Sequence, residues 1–454
     1  MSFEGEIFRR HDQGYAGALE SAVRNERKPD RRPDMIVYPR DDEDVAEAVR
    51  LARREGMKVS ARGGGHSFNA THVREGMLID FRRMRETSID VAARAATVTP
   101  SVTSREFAEE LATHGLTFPS GHCSTVGLGG FLLQGGFGWN GRTHGPACAS
   151  VTAIDVVTAD GELVRSDNET NSELIWAARG SGAGFFGIVT RFHLRVFPIA
   201  RAIHDSTYGY PLELREEVLS WLIEIAPEMP PELEVIAHVM APRANGSTEP
   251  GIPPLAVRGV AHVDTAAEAE ALLGVLDTCP VLDRATLRET CVPTDISGLY
   301  DKGDPLVSEE RYAVDCMWTD ASAERLLPEL DATLTSVPTP QTHIDILFWR
   351  EQEVSDGVFS MQAPIFISLY TQWQDRSDDA LGIDWAADQM RRLEPLSRGI
   401  QLADDNLSER AWPFLAEERL ARLEQLRGKY DPDGVFPSYL LEPGVRIEGG
   451  KLVR

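Results

Sequence analysis

The sequence predicts an α+β protein of two domains, and three observations carry that prediction. Up to Pro198 short strands alternate with helices and run into glycine-rich loops. Beyond Pro198 come long strand runs separated by amphipathic helices, and from about Glu409 the chain turns helical and ends in an irregular tail. A mixed half followed by a strand-rich half with helices on one side is the α+β pattern. The first domain is expected over residues 1–200 and 410–454, with the tail packed back on it, and the second over 201–409.

Taken in order, "MIVYP" is a short buried strand closed by Pro39. "DDEDVAEAVRLARREG" has acids in its first turn, apolar residues at helical spacing and Gly56 as a stop. "MKVSAR", "GMLIDF" and "AATVTPSV" read as strands, and "TSREFAEELATHG" as a helix with a hydroxyl cap and a terminal glycine. "SVTAIDVVTADGELVRS" is a hairpin turning at Asp160-Gly161. In the second half "ELEVIAHVM", "LAVRGVAHVD", "ERYAVDCMW", "HIDILFWRE" and "APIFISLYTQW" are strands, with helices such as "TAAEAEALLGVLD", "SAERLLPELDATL" and "IDWAADQMRRLEPL" between them.

Strand parity separates two faces. Ile344, Ile346 and Phe348 share one face, with His343, Asp345, Trp349 and Glu351 on the other. Ile365, Ile367, Leu369 and Trp373 likewise oppose Ser368, Tyr370 and Gln372. The polar, aromatic faces are expected to roof a ligand, because a solvent-exposed sheet face seldom carries Trp and Tyr in this way.

A formal charge of -25 over 454 residues argues against nucleic acid and anionic lipid as partners. No apolar run approaches the roughly 20 residues of a membrane span, and "MSFEGEIFRRHDQGY" lacks a secretory layout, so a cytoplasmic protein is expected. Five widely spaced cysteines without a C-x-x-C argue against a disulfide framework or a zinc site. An anionic ligand would therefore have to be held by backbone N–H groups and a few local arginines.

Two stretches offer such groups, "ARGGGHSFNA" and "SGHCSTVGLGGFLLQGGFGWNGR". Glycines at strand ends let backbone amides approach a ligand without intervening Cβ atoms. The first, "RGGGHS", does not match G-x-G-x-x-G or a P-loop, and each stretch carries one reactive side chain, His66 or Cys123.

Residues from about 30 to 200 closely, and the remainder loosely, resemble the FAD-linked oxidases of the vanillyl-alcohol-oxidase superfamily, in the berberine-bridge-enzyme-like branch. The likeness runs through "RRPDMIVYPRDDEDVAEAVRLARREGMKVSARGGGHS", "GHCSTVGLGGFLLQGGFGWNGRTHG", "IDVVTADGELVR", "SELIWAARGSGAGFFGIVTRFHLRVFP" and "YDPDGVF". The resemblance implies FAD bonded through His66 to the flavin 8-alpha methyl group and through Cys123 to flavin carbon 6. It also implies a cofactor seat made of Arg62, Gly63, Gly64, Gly65, Ser67, Thr125, Val126, Gly127, Gly129, Gly130, Gly135, Gly138 and Ile188. His122 is placed either to help form the Cys123 thiolate or to stand behind it.

Enzymes of this kind take a hydride from a C–H bond beside oxygen or nitrogen, a base takes the proton, and molecular oxygen reoxidises the flavin. The small-molecule substrate implied is a sugar, an aromatic alcohol or a secondary metabolite. Amine oxidation, oxidative cyclisation and flavin dehydrogenation are the catalytic alternatives. A silent flavin-bound binding protein is the rival from another class. The base is where the chain departs from its relatives: in place of a G-x-Y-x-N tyrosine stands Gln401 in "SRGIQLADDN", and a glutamine takes no proton at neutral pH. Tyr370, Tyr439 and Glu351 are the candidates, with Tyr370 first and Asp404 and Asp405 next in line. Phe185 or Phe186 stands where relatives usually have asparagine.

Overall fold

A computed structural model of the chain describes residues 3–240, 253–303 and 310–454. The first strands are β1 (Glu6–Arg9), β2 (Met35–Tyr38), β3 (Val59–Arg62) and β4 (Met77–Asp80). They form a sheet of order β1-β2-β4-β3 in which β4 lies parallel to both β2 and β3. Helix α1 (Asp42–Arg54) supplies the crossover from β2 to β3. Its cap is Asp41, whose side chain accepts from the Asp44 N–H, and Gly56 leaves the helix at φ +69°. The N-terminal edge strand β1 has no counterpart among the sequence expectations.

A second sheet contains β5 (Thr87–Asp90), β6 (Ala95–Val98), β7 (Val151–Val157), β8 (Leu163–Asp167) and β9 (Ile188–Arg195) in the order β5-β6-β9-β7-β8. The expected hairpin is β7–β8, paired from Val157↔Leu163 outward, with Gly161 at φ +74° in its turn. Helix α2 (Ser104–Thr113) opens on a full capping box between Thr103 and Glu106.

Seven antiparallel strands make the third sheet: β10 (Ala202–Tyr210), β11 (Leu233–Met240), β12 (Leu255–Val263), β13 (Leu287–Thr294), β14 (Arg311–Thr319), β15 (His343–Phe348) and β16 (Ile365–Trp373). Their order is β13-β10-β12-β11-β15-β16-β14. One face is apolar and packs on amphipathic helices; Ile344, Ile346, Phe348, Ile365, Ile367 and Leu369 all join that core. Trp373 is buried too and donates its indole N–H to Asp379 at 2.8 Å. The fold is thus the two-domain α+β one read from the sequence.

The last helix starts at Glu417 rather than near Glu409. Pro413 disfavours helical backbone in the residue before it, so the segment between stays irregular. Leu420, Leu423 and Leu426 of this helix pack in one core with β6, β7 and β9, and the Val59 N–H of β3 donates to the Val435 carbonyl at 2.8 Å. No helix among the described residues is long and apolar enough to cross a membrane.

Candidate active site

Strand β3 delivers the chain into the loop Gly63–Ser67, and a second loop, 121–127, precedes a short helix at Leu128–Leu133. The two loops touch backbone to backbone. A Cβ on Gly64 would lie 2.6 Å from the Gly127 nitrogen, and one on Gly127 would lie 2.6 Å from the Gly64 nitrogen. Gly63 and Gly129 press in the same way on Pro100. These glycines therefore serve first to let one loop lie on the other, and that contact brings His66 and Cys123 to one cavity. Gly127→Ala is expected to cost about 1–3 kcal/mol through overpacking and to lower the bound flavin per chain, read as the ratio of visible to ultraviolet absorbance.

Arg62 fixes the shape of the first loop. Its guanidinium donates to the carbonyls of Gly63 (3.2 Å) and Gly64 (3.0 Å) and to the fully buried Asp80 (3.0 Å). With Arg62 so committed, the backbone N–H groups of Gly64, Gly65, His66 and Ser67 are left available to an anion; among the described residues none of them donates a backbone hydrogen bond. A row of free amides beside two nucleophilic side chains fits FAD, an anionic cofactor, in a chain of net charge -25.

His66 and Cys123 meet through one hydroxyl. Thr125 Oγ1 lies 2.9 Å from His66 Nε2 and 3.7 Å from Cys123 Sγ. Burial first, then the positive charges of Arg24 and Arg62, push the His66 imidazole down to about 3. It is accordingly neutral at physiological pH, the form that has a nitrogen lone pair to bond with. His122 turns its Nε2 to Glu234 at 2.6 Å and its ring edge to Trp139, so it is held in the wall behind Cys123.

The opposite wall of this cavity, about 400 Å³ in volume, is the polar face of the seven-stranded sheet. Tyr370 donates its hydroxyl to Asp404 Oδ2 at 2.8 Å, and Ser368 donates to the same oxygen at 3.3 Å. The His343 ring stacks on Tyr370 at 4.8 Å. Burial, and then the Asp404 charge, hold the phenol well above its ordinary range. Burial also pushes Asp404 up to about 6, against the hydrogen bonds from Tyr370 and Ser368. Beside them His238 Nδ1 pairs with Asp345 Oδ1 at 2.6 Å.

The loop bearing Gln401 and Asp404 is clamped from below. Arg410 reaches Asp315 at 2.9 Å through Nε, Asn406 Nδ2 reaches the same carboxylate at 3.2 Å, and Asn69 donates to the Asp405 carbonyl at 2.8 Å.

Of the residues expected from sequence, Arg62, Gly63, Gly64, Gly65, His66, Ser67, Cys123, Val126, Gly127, Gly129, Gly130, Ile188 and Tyr370 line the cavity, as do Gln401 and Phe185. Thr125 bridges the two nucleophiles from behind. Gly135, at φ +102°, packs on Phe359, and Gly138 lies where any Cβ would strike the Ser120 carbonyl; both shape the loop without lining the cavity. Phe186 stacks on Tyr430 in the core.

Two of the base candidates fall elsewhere. Tyr439 is buried with its hydroxyl given to the Ser181 carbonyl at 2.7 Å, and burial raises its phenol. Glu351 lies beyond the end of β15 at Phe348, where strand parity no longer holds, and is exposed. Sequence reasoning passed over His238, although it shares strand parity with Glu234 and Ile236, and that alternation was a usable signal.

A profile of the FAD binding domain family matches residues 33–167, a span that holds both glycine loops. The chain is 30% identical over 427 residues to the FAD-linked oxidoreductase janO of Penicillium janthinellum, covering 92% of this chain and 93% of that one. It is 32% identical over 423 residues to the FAD-linked oxidoreductase nodO of Hypoxylon pulicicidum, with 90% and 91% covered. Its fold is similar to that of 6-hydroxy-D-nicotine oxidase from Arthrobacter nicotinovorans, with a TM-score of 0.83 at 20% identity over 97% of this chain and 98% of that one. The Acremonium strictum glucooligosaccharide oxidase gives a TM-score of 0.81 at 21% identity over 97% and 96%. Identity maintained along nearly the whole chain makes the protein an enzyme that uses FAD: it belongs to the FAD-linked oxidoreductases.

Proposed function

We propose that the protein is an FAD-dependent oxidase whose flavin is bonded through both His66 and Cys123, and which oxidises a hydroxyl-bearing small molecule with molecular oxygen as acceptor. The observation that carries this reading is the meeting of His66 and Cys123 across Thr125 on one wall of a cavity whose other wall presents Tyr370 hydrogen-bonded to Asp404. When bound, flavin supplies the hydride acceptor and the means of passing electrons to oxygen.

The remaining chemistry belongs to the chain. A phenol held above its usual range is a poor base alone, but Tyr370 already points its proton at a carboxylate. It takes the substrate hydroxyl proton on Oη while its own proton passes to Asp404 Oδ2, so no free phenolate has to form. Gln401, which cannot take a proton, serves as a hydrogen-bonding wall. The Tyr370–Asp404 pair thereby supplies the base that the substitution at Gln401 removed, which favours an active enzyme over a silent flavin-binding protein.

Anaerobic mixing with a panel of primary and secondary alcohols, sugars and cyclic amines tests the reading. An alcohol is expected to bleach the flavin, and readmitted air to restore its colour with release of peroxide. Bleaching by amines alone would transfer the activity to C–N oxidation; a flavin that no compound bleaches would mark a binding protein.

A further inference from the structure

The roof of the cavity is sorted into rows, and the rows differ in chemistry. Cross-strand partners in the seven-stranded sheet stand side by side on the same face. Ile236 pairs with Leu347, Leu347 with Phe366, and Phe366 with Trp318, giving an unbroken apolar row across β11, β15, β16 and β14. Two residues along, His238 pairs with Asp345 and Asp345 with Ser368. Two further, His343 pairs with Tyr370. All four members of the apolar row line the cavity, and its rings are close-packed, with Trp318 4.8 Å from Phe366. Phe137, which follows the short helix Leu128–Leu133, lies 5.0 Å from Trp318 and 4.6 Å from Trp349, so aromatic rings border the row on a second side.

We infer that the substrate is an elongated, largely apolar skeleton, aromatic or aliphatic, with its oxidisable hydroxyl at one end, and that it is not an oligosaccharide. The inference rests on the oxidase reading above and narrows it. The hydroxyl end belongs with Tyr370 and Asp404, and the skeleton lies along the Ile236–Trp318 row. The residues expected to hold the cofactor lie on or beside the two loops and, as Ile188, at the start of β9, none of them on this sheet, so this face is left to the substrate. A sugar laid along the row would bury several hydroxyls against side chains that offer them one donor at most, the Trp318 indole N–H, a loss that an apolar body does not suffer. An apolar body instead removes its own surface and that of the rings from water.

Titration of the flavin-loaded protein under anaerobic conditions, read as a shift of the visible flavin spectrum, separates binding from turnover. The probes are cinnamyl alcohol, allyl alcohol and cellobiose. Cinnamyl alcohol is expected to bind at least about 100-fold more tightly than cellobiose. Phe366→Ala is expected to weaken cinnamyl alcohol roughly 10- to 100-fold while changing the short allyl alcohol little, since only the long skeleton reaches the row. Leu347→Thr, which suits a strand, is the second variant and should act in the same direction. Cellobiose binding as tightly as cinnamyl alcohol would overturn the inference. So would unchanged cinnamyl alcohol binding in both variants, or no binding of cinnamyl alcohol to the wild type. If cinnamyl alcohol binds and responds to the variants but never bleaches the flavin, the substrate class stands and the oxidase reading fails.

Discussion

Tyr370→Phe is expected to slow anaerobic flavin reduction by about 100-fold or more, the usual size of a general-base contribution, with little change in substrate binding. The phenylalanine keeps the stacking on His343 and removes only the oxygen that relays the proton to Asp404. Asp404→Asn is expected to lose a comparable factor with Tyr370 still present, because the amide accepts no proton. The pH dependence follows from the same pair. Asp404 has been raised to about 6, so it is ionised above that pH and protonated below it, and only the ionised form can accept from Tyr370. Flavin reduction in the wild type should therefore rise with pH between about 5 and 7, and this limb should vanish in Asp404→Asn. The other charged and titratable groups around the pair are Asp345, His238, His343 and, on the same loop, Asp405, which burial lifts to about 7. Glu351→Gln and Tyr439→Phe serve as controls and should reduce their flavin at the wild-type rate, since neither residue lines the cavity. Normal reduction in Tyr370→Phe together with collapse in a control would move the base elsewhere.

The largest loss of stability is expected from Arg410→Met. This side chain and Asp315 are both almost fully buried, and they hold the loop of Gln401, Asp404 and Asp405 against β14. Removing the guanidinium leaves a carboxylate buried with only Asn406 and local N–H groups, which costs about 4 kcal/mol. The double variant Asp315→Leu/Arg410→Met should recover much of that loss, because no charge is then stranded in the interior. Urea unfolding of the flavin-loaded protein measures both, and a single variant as stable as wild type would show the pair to be dispensable.

The fold was legible wherever local chemistry is self-sufficient. Thr103 and Glu106 spell a capping box within one turn, and Asp160-Gly161 a hairpin turn, so those elements can be read from a few neighbouring residues. Period-two alternation in "HIDILFWRE" and "IFISLYTQW" distinguished the helix-packed face of the third sheet from the cavity face, until the strand ended at Phe348 and the rule lapsed at Glu351. His66 and Cys123 were legible as reactive residues set among glycines, but the partner of those glycines was not. Their crowding against the opposite loop depends on where two distant stretches of chain meet. The Tyr370–Asp404 bond was hidden for the same reason: it joins residues 34 apart, and the loop that presents Asp404 is fixed by a pair, Arg410 and Asp315, that are 95 apart. Tyr439 misled because being close to the cofactor region in sequence terms says nothing about which way a buried hydroxyl turns.

Mass spectrometry of an acid-quenched proteolytic digest tests whether a single flavin joins the two loops. One flavin-bearing species is expected in which the peptide containing His66 and the peptide containing Cys123 are linked through the same FAD-derived group, reduced to a single-peptide adduct in either His66→Ala or Cys123→Ala. Flavin recovered free in the supernatant, or carried by only one of the two peptides in the wild type, would contradict it.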